Sequence, residues 1–315
     1  MYLEKVNLKN KHRFITVVKK SNDMAKYFLT FFVVNTKNLL TDNVWAAKQI
    51  KNLIILIFFT FFFKNLYALE LRGKFYQGNL IVGKVEAGLQ VFIDEKKIKI
   101  SNEGIFVFGL SKERKKDIVI EVIENDTSVK IIKKILKKKY KVQRIDNLPK
   151  KQVTPPKEVY ERIKNDNKLI AEARLVNSNL TFFSNKFQVP LKNSIITGVY
   201  GSQRILNGIP KSPHYGLDFA AKEGTGIKAM IDGVVTLSEK NLYYTGGTVI
   251  FDHGHGVSTL YMHLKDVLVE TGQQIKQGDI IGTVGKTGRS TGAHLDVRLN
   301  WFNLKLDPAS VLNFK

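Results

Sequence analysis

From about residue 185 to the C-terminus, short Val/Ile/Leu runs are separated by glycine turns, at Asp232-Gly233, Gly246-Gly247, Gly272, Gly278, Gly282, Gly285, Gly288 and Gly292. This punctuation excludes long helices, because each interior glycine costs a helix about 1 kcal/mol relative to alanine. The apolar runs between glycines have strand length, not helix length. Residues 177–315 are therefore expected to form a Gly-rich antiparallel β domain with tight turns and little helix.

A second, smaller β domain is expected over 69–148, making the chain all-β in class. Leu89-Gln90-Val91-Phe92-Ile93 and Ile98-Lys99-Ile100 flank the polar turn Asp94 to Lys97, which reads as a hairpin. Ile118 to Ile123 and the run from Val129 flank Glu124-Asn125-Asp126-Thr127, which reads as another. The last strand is expected to carry Lys130, Lys133, Lys134, Lys137, Lys138, Lys139, Lys141 and Arg144. That run reads first as a solvated strand face and second as an anchor for an anionic surface. Prolines at 149, 155 and 156 mark a linker within 149–176. Thr154 is placed to cap a helix over 156–174 that buries Val159, Ile163 and Ile170.

Composition narrows the chemistry. Hydrophobic residues make up 43% of the 315, enough for a real core, and there are no cysteines. Disulfides and thiolate zinc sites are thereby excluded, so a metal must be held by histidine and carboxylate. The formal charge of +22 draws the chain to polyanions. No nucleic-acid fold signature accompanies it, which leaves anionic lipid or an anionic cell envelope as the expected partner and no nucleic acid.

Residues 1–68 read as an extension holding an export signal. Leu53 to Phe63 is an undiluted apolar run preceded by Lys48 and Lys51 and followed by Lys64 to Ala68. A positive flank, a short apolar core and a terminal alanine are the parts of a secretory signal. The run is shorter than the roughly 20 residues a membrane-spanning helix needs. The first 49 residues exceed a normal signal n-region, so translation is expected to begin near Ile50. An exported, periplasmic or envelope-associated protein follows, with retention by residues 53–63 as the alternative to cleavage.

Five of the six histidines lie between 214 and 294. His214 and Asp218 are four apart, which puts both on one face of a strand or a helix. His294 and Asp296 are two apart, so on a strand they point the same way and can meet the first pair across a sheet. Tyr261 and His263 share a strand face by the same rule. His253 and His255 flank Gly254 and are expected to line the same cleft. Imidazole with carboxylate suits Zn²⁺.

These stretches resemble the lysostaphin-like (LytM-type) zinc endopeptidases of bacterial cell walls. The resemblance rests on Pro213 to Asp218, Asp252 to Gly256 with Tyr261 to Leu264, Gly272 to Gly282, and Gly285 to Leu295, and it covers residues 195–310. It implies that His214 and Asp218 are zinc ligands and that His263 and His294 are the catalytic pair. The family's remaining ligand is a histidine at the place of Asp296, which carboxylate oxygen can fill at a similar metal distance. A set of His214, Asp218 and Asp296 carries one more negative charge than the family's. Tyr215, His253, His255, Tyr261 and Thr291 are candidates for the substrate groove. The implied activity is zinc-dependent cleavage of peptidoglycan peptides. The alternative is a degenerate wall-binding module that activates other wall hydrolases.

Overall fold

A computed structural model describes residues 13–19, 66–125, 127–147 and 154–312. The N-terminal strands are β1 (Arg13–Lys19), β2 (Leu66–Arg72), β3 (Leu80–Lys84), β4 (Gln90–Ile93), β5 (Lys96–Lys97), β6 (Ile105–Gly109), β7 (Ile118–Glu124), β8 (Thr127–Lys133) and β9 (Val142–Ile145). The first eight form two four-stranded sheets, ordered β1-β2-β3-β6 and β5-β4-β7-β8. Alternation in β7 is clean. Ile118, Ile120 and Val122 are buried while Val119, Glu121 and Ile123 are half-exposed, as expected for a strand with one face on a core. Leu69, Ile81, Val91, Phe106, Phe108, Ile118 and Ile120 fill that core.

A helix, α1 (Tyr160–Arg174), follows the linker. A 3₁₀ turn at Lys157–Val159 precedes it, begun at Pro156 without any side-chain cap, so the expected Thr154 cap is absent. Ile170 and Ala173 pack the helix on Leu237, Leu242, Ile250 and Leu260.

The C-terminal strands are β10 (Ile195–Gly198), β11 (Gln203–Leu206), β12 (Ile209–Pro210), β13 (Leu217–Ala220), β14 (Gly226–Lys228), β15 (Gly233–Leu242), β16 (Gly246–Asp252), β17 (Val257–Val267), β18 (Gln274–Ile275), β19 (Ile280–Val284), β20 (His294–Trp301) and β21 (Leu304–Leu306). The main sheet runs β10-β13-β20-β17-β16-β15-β18, with β14, β19 and β21 joined beside it. Its centre is buried on both faces: all of β16 and the first eight residues of β17 are inaccessible. Phe219, Phe251, Tyr261, Val297 and Leu299 are part of this core. Burial of a Phe or Leu side chain contributes about 1.5–3 kcal/mol each, so this sheet is the rigid platform of the molecule.

The two domains are knitted together. Leu80 and Val107 of the N-terminal sheet belong to the C-terminal core cluster. The backbone of β9 pairs in parallel with β11. Lys138 forms an ion pair with Asp307 at 2.5 Å and donates to Asn79 at 2.9 Å. The expectation of one lysine-bearing strand is thus corrected. β8 ends at Lys133, β9 begins at Val142, and Lys138 between them is turned inward by Asp307. The apolar run 53–63 and the residues before it that bear on export and on a start near Ile50 lie outside the described residues. Among the described residues no helix is long and apolar enough to cross a membrane.

Candidate metal centre and active site

β13 and β20 lie side by side, antiparallel, with Asp218 directly opposite Asp296. His214 enters from the turn just before β13. Single donor atoms of His214, Asp218 and Asp296 all lie within 4.8 Å of one another, and all three residues are buried. His214 Nε2 is 3.0 Å from Asp218 Oδ1. Both ring nitrogens of His214 and Oδ1 of Asp218 are nonetheless buried without a hydrogen bond. Buried polar atoms are rarely left unpaired, since each costs about 1–3 kcal/mol. Three convergent side chains, two of them with unpaired donor atoms, fit a divalent cation.

Two glycines make room for the carboxylates. A Cβ at Gly216 would stand 1.9 Å from Asp296 Oδ1, and one at Gly198 would stand 2.1 Å from Asp218 Oδ2. Any side chain at either position would push a carboxylate out of the cluster.

The outer oxygens are held by arginines. Arg204 on β11 donates to Asp218 Oδ2 at 3.2 Å, and Arg298 donates to Asp296 Oδ2 at 3.1 Å. Burial opposes ionisation of Asp296, but Arg298 and His214 outweigh it and hold the carboxyl well below the usual carboxylate range. Neither arginine was picked out among the sequence motifs. Arg298 had a signal, since it is two residues after Asp296 and shares its strand face. Arg204 had none, because only the β9–β11–β12 sheet brings it to Asp218.

His263 and His294 stand beside the cluster with ring centroids 4.8 Å apart. His263 Nδ1 is 2.8 Å from the Thr287 carbonyl, and His294 Nδ1 is 2.9 Å from the Gly292 carbonyl. A carbonyl can only accept, so each Nδ1 carries the proton and each Nε2 is the free acceptor. Burial pulls the His263 pKa down to about 4, which keeps this ring neutral.

The position of His263 overturns one strand rule. Gly247 pairs with Leu264 while Val249 pairs with Tyr261, so β17 holds one residue more than β16 in this stretch. His263 takes a left-handed backbone at φ 65° to accommodate it. Such a bulge re-aims a side chain. Tyr261 therefore stays in the core, where its hydroxyl accepts from the Met230 amide at 2.9 Å, while His263 turns to the cleft. Tyr261 is not a groove residue.

His253 and His255 are also corrected. His253 Nδ1 donates to the Asp232 carbonyl at 2.7 Å and its Nε2 accepts from Thr259 Oγ1 at 2.7 Å, a fully satisfied core histidine. His255 packs on Phe183 and lines a separate hollow with Trp301 and Phe302. Gly254 between them takes φ 97°, a left-handed backbone that favours glycine. Tyr215 and Thr291 do line the cleft.

The cleft encloses about 760 Å³ and is walled by both domains, with Gln143 and Asn167 facing Lys211, Arg289 and the His263–His294 pair. Arg289 stacks on Tyr244 at 4.3 Å, and Lys305 stacks on Tyr215 at 4.3 Å.

Comparison with known proteins singles out the same stretch of the chain. Residues 212–308 match the model of peptidase family M23. A peptidoglycan DD-endopeptidase of Vibrio cholerae, ShyA, is 43% identical over 88 residues, covering 28% of this chain and 20% of its own. The DD-carboxypeptidase/endopeptidase Mpg of Neisseria meningitidis is 41% identical over 98 residues, covering 31% and 22%. The match thus spans about a fifth of the length of these curated relatives. A peptidase M23 crystal structure from Pseudomonas aeruginosa aligns with a TM-score of 0.57 at 27% identity, covering 76% of this chain and 95% of that one. The buried trio and both cleft histidines fall inside the matched stretch, and residues 212–308 of this chain are a peptidase family M23 domain.

Proposed function

We propose that this domain is a zinc-dependent endopeptidase that cleaves peptide bonds of bacterial peptidoglycan during wall remodelling or division. The observation that carries the reading is the convergence of buried His214, Asp218 and Asp296 around orphaned donor atoms. Three protein ligands of the His and carboxylate type, beside an open cleft, are the pattern of a catalytic zinc. When bound, zinc supplies Lewis acidity toward the scissile carbonyl and lowers the pKa of a bound water. The names of the relatives ShyA and Mpg support the substrate class.

The chain's own groups complete the chemistry. His294 is half-buried at the mouth of the cleft, and its free Nε2 is the group placed to take the water's proton and pass it to the leaving amine. His263 stays neutral with its proton on Nδ1, so its Nε2 accepts a hydrogen bond from the attacking water and orients it. Tyr215 and Thr291 flank the substrate. The chain's positive charge favours contact with the anionic wall and envelope, and export places it there.

The test uses the purified full chain. Metal content is measured, and digestion of isolated wall material is followed with and without chelator. One zinc per chain is expected, with digestion abolished by the chelator and by His214→Ala. Undiminished digestion by His214→Ala would overturn the mechanism. A metal-free protein that still binds wall material would instead match a degenerate module that activates other hydrolases, a role that the intact trio does not favour.

A further inference from the structure

We propose that Asp296 and Arg298 act as one unit, with Arg298 a positioning residue that makes the second aspartate serviceable in place of a neutral ligand. This rests on the metal-site reading above. Asp218 and Asp296 face each other in register on adjacent strands and are both buried. Two like charges so placed repel each other. Arg298 is on the same strand face as Asp296 and reaches both of its oxygens, Nη2 to Oδ2 at 3.1 Å and Nε to Oδ1 at 3.5 Å.

The charges then balance. Carboxylate with guanidinium sums to zero, the same as one neutral imidazole. At position 296, therefore, the Asp296–Arg298 pair presents the cation with the charge of one neutral imidazole. The extra negative charge expected from the sequence is cancelled from outside the ligand shell. Geometry divides the work in the same way. Arg298 binds chiefly the Oδ2 side, and Oδ1 lies against the bare Cα of Gly216, where no side chain can displace it. Arg204 does the same for Asp218, taking Oδ2 and leaving Oδ1 unpaired toward His214. Outer-sphere partners of this kind orient ligands and are worth about 10–100-fold in metal affinity.

The unit has a consequence that an ordinary structural arginine lacks. With histidine at 296, Arg298 would be a cation beside the metal with no carboxylate to hold, and its removal should then help. The test is a double-mutant cycle on the full chain: wild type, Arg298→Gln, Asp296→His and the double variant. Zinc dissociation constants are read by competition with a chromogenic chelator, and melting of the metal-free proteins is followed as a control for folding. Arg298→Gln is expected to weaken zinc binding about 10–100-fold in the wild-type background. Arg298→Lys, which keeps the charge and loses the fork, should fall between. In the Asp296→His background the same Arg298→Gln change is expected to leave affinity unchanged or raise it. If Asp296→His does not fold, Asp296→Asn takes its place with the same expected sign. Equal losses in both backgrounds, or no loss in the wild type, would overturn the proposal while leaving the metal site standing. A wild-type chain that binds no zinc would remove both.

Discussion

Adding one methyl group at position 216 should damage a site whose ligands it never replaces. The Cβ of Gly216→Ala would stand 1.9 Å from Asp296 Oδ1, 2.9 Å from its Cγ and 3.0 Å from the Val297 carbonyl oxygen. Ordinary contacts lie near 3.5 Å, so the carboxylate must retreat by roughly 1.5 Å. It cannot retreat freely, because Arg298 holds its other oxygen and Val297 is locked in register opposite Leu217. The backbone of Gly216 is not in the left-handed region, so the cost is purely one of space. Overpacking of this kind costs about 1–3 kcal/mol. In a domain of this size that corresponds to a fall in Tm of about 2–4 °C for each kcal/mol. A displaced ligand should in addition weaken zinc binding by about 10-fold or more. Metal-free melting and chelator competition measure the two effects separately. Gly226→Ala is the matched control, since its Cβ meets nothing nearer than the tip of Ile280 at 3.2 Å. A Gly216→Ala protein that melts and binds zinc like the wild type would refute the packing account of the site.

Two further predictions concern stability. Burial holds the pKa of His253 down to about 4 against an ordinary 6.5. The unfolded chain then binds the extra proton between those values, so stability falls as pH drops through that window, by up to about 3 kcal/mol. The nearest charged group is Asp232, and Thr259, Phe187 and Phe251 complete the surroundings. Urea unfolding at pH 7 and pH 4.5 should show this loss in the wild type and a smaller one in His253→Gln; equal losses would count against it. Lys138→Met removes the ion pair to Asp307 and the bond to Asn79, and should lower stability by about 1–3 kcal/mol without changing zinc affinity. Urea midpoints that coincide with wild type would show that this tie contributes nothing.

Much of the fold was legible because its signals are local. Glycine turns and strand-length apolar runs pointed to the β class, and the hairpin at 118–133 follows from alternation around a polar turn; the first hairpin turns earlier than expected, at Asp94–Glu95, and pairs Lys96–Lys97 with Phe92 and Ile93. Strand periodicity put His294 and Asp296 on one face of β20, whereas His214 reaches Asp218 from the segment before β13, where that periodicity does not hold. What was not legible depended on long-range packing. The bulge at His263 breaks period-two alternation, so a rule that placed Tyr261 beside it could only fail. His253 resembled a cleft residue in sequence and is a core residue because its two partners, Asp232 and Thr259, come from elsewhere in the chain. Arg204 reaches the site through a sheet shared between domains, and nothing in its own neighbourhood announces it.

The central claim is that one divalent ion sits among His214, Asp218 and Asp296. Crystals of the full chain grown with zinc, with diffraction recorded on both sides of the zinc absorption edge, test it most directly. The account predicts a single anomalous peak within bonding distance of all three side chains. A peak held by His263 and His294 instead, or none at all, would contradict it.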